Sequence, residues 1–344
     1  MYIVITLIKV ILQLQKILII MNKIKRIGIL TSGGDAPGMN AAIRATTRAA
    51  INNGLEAYGI MRGYEGMIDG EIRKLTSSDV SGILQKGGTI LKTARSQRFR
   101  EYEGRQKAYE NLKSNNIDAL VVIGGDGSFK GATQFSHEFD IPVVGMPGTI
   151  DNDMYGTDYT IGFDTCCNTV MEAVDKIRDT ASSHNRIFFV EVMGRDAGFV
   201  ALRSGIACGA EATLIPEITG QIDSLMQLLS SPERQNRSSI ILIAEGHTEG
   251  NTFEIAERVR QAFPHLDVRV TILGHIQRGG SPTSYDRVAA SQMGVAAVEA
   301  LLDDQKSIMI GLQNGEIVHV PMNKTVKLGK DVSQAMLDMA RILV

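Results

Sequence analysis

Short runs of β-branched and aliphatic residues alternate with longer segments of helical period from residue 25 onward, the pattern of βα units that build a parallel sheet. Continuous apolar runs at 27–31, 119–123, 142–146, 186–192, 240–244 and 268–273 predict strands buried on both faces. Helices are predicted between them. One covers 39–53 and another 129–139, where Phe129, Ala132, Phe135 and Phe139 recur at near-helical spacing. A third covers 165–181, with Cys167, Val170, Met171, Val174 and Ile177 on one stripe. No Pro- or Ser-rich linker marks a domain boundary, so topology alone places one after Asp153, with the chain free to cross back later.

At 344 residues the chain is long enough for two packed α/β domains. Its 44% hydrophobic and 22% charged content fits neither a disordered nor a fibrous class. A net charge of -2, from 36 basic and 38 acidic residues, offers no global attraction to nucleic acid, so any anion site is local. The three cysteines suit a reduced cytosolic protein and lack metal-ligand spacing; adjacent Cys166 and Cys167 read as core packing. Residues 1–20 are apolar enough to suggest a membrane span, but Lys9 and Lys16 interrupt them, each costing roughly 2.5 to 3.5 kcal/mol near a bilayer centre. Met21, just before the first strand, looks like a natural start, so 1–20 read as a non-native extension, with a real anchor as the alternative. Protein begun at Met21 is expected to be soluble and fully active.

The chemistry lies in loops that follow strands, where ligands of open parallel sheets bind. A Gly-Gly-Asp loop occurs twice, at 33–35 and 124–126, and the spacing suggests two loops of one sheet meeting at one site. Glycines let backbone N–H groups approach phosphate, and a following helix N-terminus adds partial positive charge. Neither loop is a Walker motif or a G-x-G-x-x-G fingerprint. Asp126 beside bound phosphates requires a cation between them, which magnesium supplies; the bland alternative is that Asp126 caps the helix beginning near Phe129. Asp151 and Asp153 sit two residues apart in Pro-Gly-Thr-Ile-Asp-Asn-Asp at 147–153, where repulsion could hold one as a base, or where Asx caps could simply shape a turn. A carboxylate for metal and one for a hydroxyl proton are the minimum equipment for phosphoryl transfer to an alcohol. Arginine suits the phosphates by its planar fork. Arg95, Arg98, Arg100, Arg186, Arg195 and Arg278 are candidates, and of these Arg195 and Arg278, with His275, stand beside Gly-rich strand ends. His184, His247 and the other histidines read as structural or surface groups.

Five strings in order carry a specific resemblance: Leu-Thr-Ser-Gly-Gly-Asp-Ala-Pro-Gly-Met-Asn at 30–40, Gly-Gly-Asp-Gly-Ser at 124–128, the 147–153 loop, Met-Gly-Arg at 193–195 and Leu-Gly-His-Ile-Gln-Arg-Gly-Gly at 273–280. From Met21 onward the chain resembles bacterial ATP-dependent 6-phosphofructokinase. The resemblance implies two Rossmann-like α/β domains, with mainly parallel sheets sandwiched by helices and the active site in the cleft between them. An ATP-binding domain would span 21–160, completed by about 279–325, and a fructose 6-phosphate domain 161–278, completed by the C-terminal segment. Gly34, Arg95, Ser96, Gly125, Asp126, Gly127 and Ser128 would hold ATP, with Asp126 on Mg2+. Asp151 would take the proton from the sugar 1-hydroxyl, Arg195 would stabilise the transferring phosphoryl group, and Thr149 would assist. Fructose 6-phosphate would meet Thr149, Ile150, Asp151, Met193, Gly194, Arg195, Glu245, His275, Ile276, Gln277 and Arg278, with Arg186 and Arg269 reaching in from a neighbouring subunit of a cytoplasmic homotetramer.

Pyrophosphate-using relatives carry Asp where this chain has Gly127 and Lys where it has Gly148, so both positions favour ATP. Arg44 and Arg48, at i,i+4 spacing, match with Arg178 and Glu211 the family's nucleotide effector site for ADP or phosphoenolpyruvate. The Gly-Lys segment usual there reads Arg-Gln-Asn-Arg at 234–237, and Ser77 stands where some relatives have Arg. Competing expectations are a pyrophosphate-dependent or other sugar-phosphate kinase of this fold, and a non-catalytic sugar-phosphate or nucleotide sensor; intact Asp126, Asp151 and Arg195 weigh against the sensor.

Overall fold

The computed structural model describes residues 24–182, 186–231 and 238–343. The apolar segment 1–20, His184 and the 234–237 string lie outside the described residues. The first sheet comprises β1 (Arg26–Ser32), β2 (Glu56–Ile60), β3 (Ile72–Leu75), β4 (Ala119–Gly124) and β5 (Val143–Pro147), with β10 (Ile308–Gln313) and β11 (Glu316–Pro321) added from near the C-terminus. Its order is β11-β10-β5-β4-β1-β2-β3, parallel throughout except for the outermost strand at each edge. The second sheet, wholly parallel, has the order β7-β8-β6-β9, from β6 (Arg186–Val192), β7 (Ala212–Leu214), β8 (Ser239–Ala244) and β9 (Asp267–Ile272).

Strands β1, β4, β5 and β8 are buried along almost their whole length, as their unbroken apolar runs require. β9 departs from the expectation of burial on both faces. It is an edge strand, and only its Val268 is fully buried, because the neighbours that cover β6 on either side are missing on one side of β9. Helices α1 (Met39–Asn52), α2 (Gly63–Asp69), α3 (Tyr102–Ser114) and α4 (Asp126–Phe139) serve the first sheet. α4 begins three residues earlier than the apolar stripe predicts, since Asp126, Gly127 and Ser128 form its first turn and carry no apolar signal. α5 (Phe163–Ser182), α6 (Phe199–Cys208), α7 (Gln221–Ser230) and α8 (Thr252–Ala262) belong to the second sheet. α9 (Ser284–Leu302) returns to pack on α1, and α10 (Met322–Lys327) and α11 (Gln334–Ile342) close the chain.

The α1–α9 contact explains a small-residue sequence. A Cβ at Gly294 would lie 2.7 Å from the Ala45 Cβ and 3.0 Å from the Thr46 nitrogen, so the two backbones approach as closely as glycine permits. Cys166 and Cys167 are buried, as expected for packing residues. Among the described residues no helix is long and apolar enough to cross a membrane.

Candidate active site

The two Gly-Gly-Asp loops meet. Parallel pairing sets Ser32 of β1 opposite Gly124 of β4, and Gly124 opposite Pro147 of β5, so three consecutive strands end side by side. Their loops line one cleft of 610 Å³. Its lining includes Gly33, Gly34, the 125–128 turn, Arg95 and Ser96, together with Thr149, Asp151, Asp153, Arg195 and Arg278. Gly124 is required sterically, since a Cβ there would lie 2.5 Å from the Ser32 carbonyl oxygen and 2.6 Å from the Ser128 Oγ. A Cβ at Gly34 would run into the Arg278 guanidinium, which donates to the Asp35 carbonyl oxygen at 3.3 Å and so ties the 273–280 segment to the first loop.

Asp126 is not a helix cap. Gly125 occupies the cap position of α4 without a side-chain cap bond, while Asp126 is the first helical residue, its Oδ2 accepting from Lys130 Nζ at 2.7 Å. A carboxylate at a helix N-terminus is favoured by the helix dipole, and the same terminus favours phosphate. Lys130 is the neutralising partner that the sequence reading missed; its i+4 spacing from Asp126 was the available signal.

Asp151 sits in a braced loop. Asn152 is buried and left-handed at φ 54°, a conformation Asn tolerates, and its amide bridges the loop by donating to the Asp158 carbonyl and accepting from Thr160 N–H. Thr160 Oγ1 donates to the Thr149 carbonyl at 2.6 Å, and the Asp151 N–H donates to Thr149 Oγ1 at 3.2 Å. We expect Asn152→Ala to lose about 2–4 kcal/mol of stability, the sum of a stranded buried Thr160 N–H and a strained backbone, since the Asp158 carbonyl keeps Lys330 Nζ as a donor, readable as a lowered midpoint in thermal or urea unfolding.

The bracing leaves the Asp151 carboxylate 8% exposed with Oδ1 unpaired among the described residues. Burial pushes its pKa up to about 6, the charge of Asp153 adds to the rise, and Arg278 opposes it. Asp153 is raised as well, chiefly by burial, with Arg195 opposing and Asp126 adding to the shift. A carboxyl poised near neutrality, carrying an unsatisfied oxygen and facing a glycine-lined cleft, is equipped to accept a proton. Three carboxylates thus interact, Asp151 with Asp153 and Asp153 with Asp126, in a cleft whose lining also carries Arg95, Arg100, Arg105, Lys130, Arg195 and Arg278. Among the described residues no cluster of three or more metal-ligating side chains occurs.

The remaining predicted residues divide. Glu245 and Gln277 hold the 193–195 loop from beneath: Glu245 Oε1 accepts from Arg195 N–H at 2.8 Å and Gly194 N–H at 3.3 Å, and Gln277 Oε1 accepts from Met193 N–H at 2.9 Å. Arg195 itself is left-handed at φ 57°, its guanidinium largely exposed and beside Asp196. Gln277 is wholly buried, donating its amide to Cys166 Sγ at 3.5 Å, and Ile150 is wholly buried too, so both side chains serve as struts rather than as solvent-facing contacts. His275 and Ile276 are exposed at the edge of the 3-10 turn Gly274–Arg278. Arg186 and Arg269 lie outside the cleft, on β6 and β9, sharing Asp267.

Arg44 and Arg48 lie on α1, while Arg178 pairs with Glu211 at 3.6 Å on the second sheet's side and donates to the Cys208 and Gly209 carbonyls. Glu211 also lines a second cavity of 510 Å³ beneath α11. Its walls are mainly Leu, Ile, Ala and Gly, without glycine loops over carboxylates, so the chemistry belongs to the first cleft.

The comparisons agree with this geometry. The Phosphofructokinase family profile matches residues 26–301. ATP-dependent 6-phosphofructokinase 2 of Bacteroides thetaiotaomicron is 58% identical over 324 residues, covering 94% of this chain and 99% of the relative. ATP-dependent 6-phosphofructokinase 1 of Thermus thermophilus is 53% identical over 322 residues, covering 93% and 99%. The phosphofructokinase of Saccharomyces cerevisiae superposes with a TM-score of 0.85 at 39% identity, over 93% of this chain, which spans only 48% of the yeast chain. A pyrophosphate-dependent phosphofructokinase from Marinobacter aquaeolei shares the fold, at a TM-score of 0.80 and 21% identity, over 93% of this chain and 91% of its own. With loops, buried carboxylates and whole-length relatives in accord, the chain belongs to the phosphofructokinase family.

Proposed function

We propose that this chain transfers the γ-phosphoryl group of magnesium-bound ATP to the 1-hydroxyl of fructose 6-phosphate, giving fructose 1,6-bisphosphate and ADP. The observation that carries the proposal is that Asp151, buried, with one carboxylate oxygen unpaired and its pKa raised to about 6, lines the same cleft as the Gly125–Ser128 turn. Relatives above 50% identity named as ATP-dependent enzymes support the donor and the glycolytic role.

Gly34, Arg95, Ser96 and the 125–128 turn bind the nucleotide, the main-chain N–H groups at the start of α4 facing its phosphates. Asp126 and Asp153 are the carboxylates that would hold magnesium; when bound, the ion neutralises phosphate charge and orients the γ-phosphoryl group. Asp151 accepts the hydroxyl proton as the new O–P bond forms and the bond to the β-phosphate bridging oxygen breaks. Arg195 stabilises charge on the phosphoryl group in flight, and Glu245 and Gln277 keep its loop in register. His275 and Arg278 face the sugar phosphate.

The first sheet, with α9, β10 and β11, is the ATP-binding domain; the second, with the chain's end, binds fructose 6-phosphate. Arg186 and Arg269 complete a neighbouring copy's site in a cytoplasmic homotetramer, and Arg44, Arg48, Arg178 and Glu211 form an effector site for ADP or phosphoenolpyruvate between copies. Coupled assays of fructose 6-phosphate phosphorylation with ATP and with pyrophosphate test the donor. ATP is expected to support turnover at least about a hundredfold faster. Turnover with pyrophosphate alone would refute the proposal, and turnover with neither would favour the sensor.

A further inference from the structure

We infer that Asp267 is a positioning residue that fixes Arg186 and Arg269 as a paired fork for the phosphate group of fructose 6-phosphate. The inference rests on the assignment of those two arginines to the sugar phosphate made under Proposed function.

Strand register brings the three side chains together. In the parallel pairing of β6 with β9, Arg186 lies opposite Asp267 and Phe188 opposite Arg269. Residues two apart share a face, so Arg186, Asp267 and Arg269 all project from one side of the sheet at its edge. Val268, between the two β9 charges, points to the other side and packs with Phe189 and Ile241. The β9 part of the charged face is left uncovered: Arg269 is 55% exposed at its side chain and Asp267 39%.

The bonding pattern is selective. Asp267 Oδ2 accepts from Arg186 Nε at 2.7 Å, and Oδ1 accepts from Arg269 Nε at 2.9 Å, with a further bond from Arg269 Nη2 to Oδ2 at 3.2 Å. The carboxylate therefore takes the inner nitrogens. Among the described residues, both Arg186 η nitrogens and the Arg269 Nη1 have no acceptor, and these are the outer donors of each fork. Two guanidiniums against one carboxylate leave a net charge of +1, and the pair holds Asp267 well below the usual carboxylate range, Arg186 first. A single carboxylate that orients two cations while leaving their outer donors open matches a dianionic phosphate monoester, which binds guanidinium forks bidentately. Without Asp267 the two like charges separate and each long side chain regains its rotamer freedom, so the fork must be reassembled on every binding event.

Fructose 6-phosphate saturation curves at fixed ATP test this in the full chain for Asp267→Asn, for Arg186→Ala with Arg269→Ala, and for all three changes together. Asp267→Asn should raise KM for fructose 6-phosphate about tenfold with kcat within about twofold. Asp267→Glu should recover most of the loss. The triple variant should match the double variant, because Asp267 acts only through the arginines. If the arginine pair can be removed without raising KM, their assignment to the phosphate fails, and this inference with it. If the pair matters but Asp267→Asn leaves KM unchanged, or if adding Asp267→Asn to the pair raises KM a further tenfold, Asp267 is not their positioning residue.

Discussion

Asp151→Asn should lower kcat by about three orders of magnitude and, above pH 7, raise the melting temperature of the protein. The first effect follows from the loss of the proposed proton acceptor, since a positioned general base contributes roughly 10²–10⁴ in rate. The second follows from what the fold does to Asp151. Its ordinary carboxyl pKa of 3.8 is raised to about 6, chiefly by burial and next by Asp153, so the native state favours the protonated form. Below about pH 4 the group is neutral in both folded and unfolded chains and its burial as a charge costs nothing. As pH climbs through 6 the native carboxyl ionises, and the full penalty is present above that point. A shift of about two units corresponds to about 3 kcal/mol, an upper bound because an Asn amide must still find partners in place of the unpaired Oδ1. Melting curves of both proteins from pH 5 to 8 should diverge as pH rises, with the variant the more stable. A variant that keeps a tenth of the wild-type kcat would remove Asp151 from the chemistry; one that melts lower at pH 8 would show that its charge is compensated in the native state.

That opposition of stability and activity explains why some features were legible in the amino-acid sequence and others were not. Strands β4, β5 and β8 are buried between helix layers, so their apolar runs have no polar interruption. β11, Glu316–Pro321, is an edge strand with a mixed exposure pattern and carries no such run. α9 is concealed for another reason: Ala289, Ala290, Met293, Ala296, Ala297 and Ala300 are buried, but Tyr285, Val288 and Val295 on its exposed stripe are apolar too, so little polar contrast sets its period. The phosphate loops were conspicuous because glycine pairs and paired aspartates are poor material for a core. Glu245 and Gln277 were visible as members of a pattern, but their work in clasping Met193–Arg195 depends on segments 50 to 84 residues apart meeting in space, as their hydrogen bonds record. Asp267 was invisible because its meaning lies in the β6–β9 register.

Gly127→Asp should cut kcat/KM for ATP about a hundredfold to a thousandfold while leaving the fold intact. Gly127 lies in the first turn of α4, and a Cβ built there meets nothing within 4 Å, so a side chain enters the cleft without displacing protein. An aspartate at a helix N-terminus is even mildly favourable to stability, by about 0.3–1 kcal/mol. Its cost is confined to the nucleotide. A second carboxylate beside Asp126 repels phosphate oxygens that the α4 terminus otherwise attracts, and at about 4 Å with an effective dielectric near 20 each close pair opposes binding by about 4 kcal/mol before the metal and Lys130 screen it. The companion position behaves differently. A Cβ at Gly148 would lie 3.0 Å from Ile123 Cγ2 and 3.0 Å from Met39 Cε, so Gly148→Lys must first push aside two buried side chains at the root of the cleft. The two substitutions that resemble the pyrophosphate-using pattern are therefore unequal: Gly127→Asp is expected to melt within about 1 °C of wild type with ATP use impaired, and Gly148→Lys to melt several degrees lower by overpacking. Steady-state kinetics with ATP beside melting curves separates them. If Gly127→Asp uses ATP normally, the phosphate chain does not pass the start of α4, and the donor side of the cleft must be reassigned toward Arg95 and Ser96 alone.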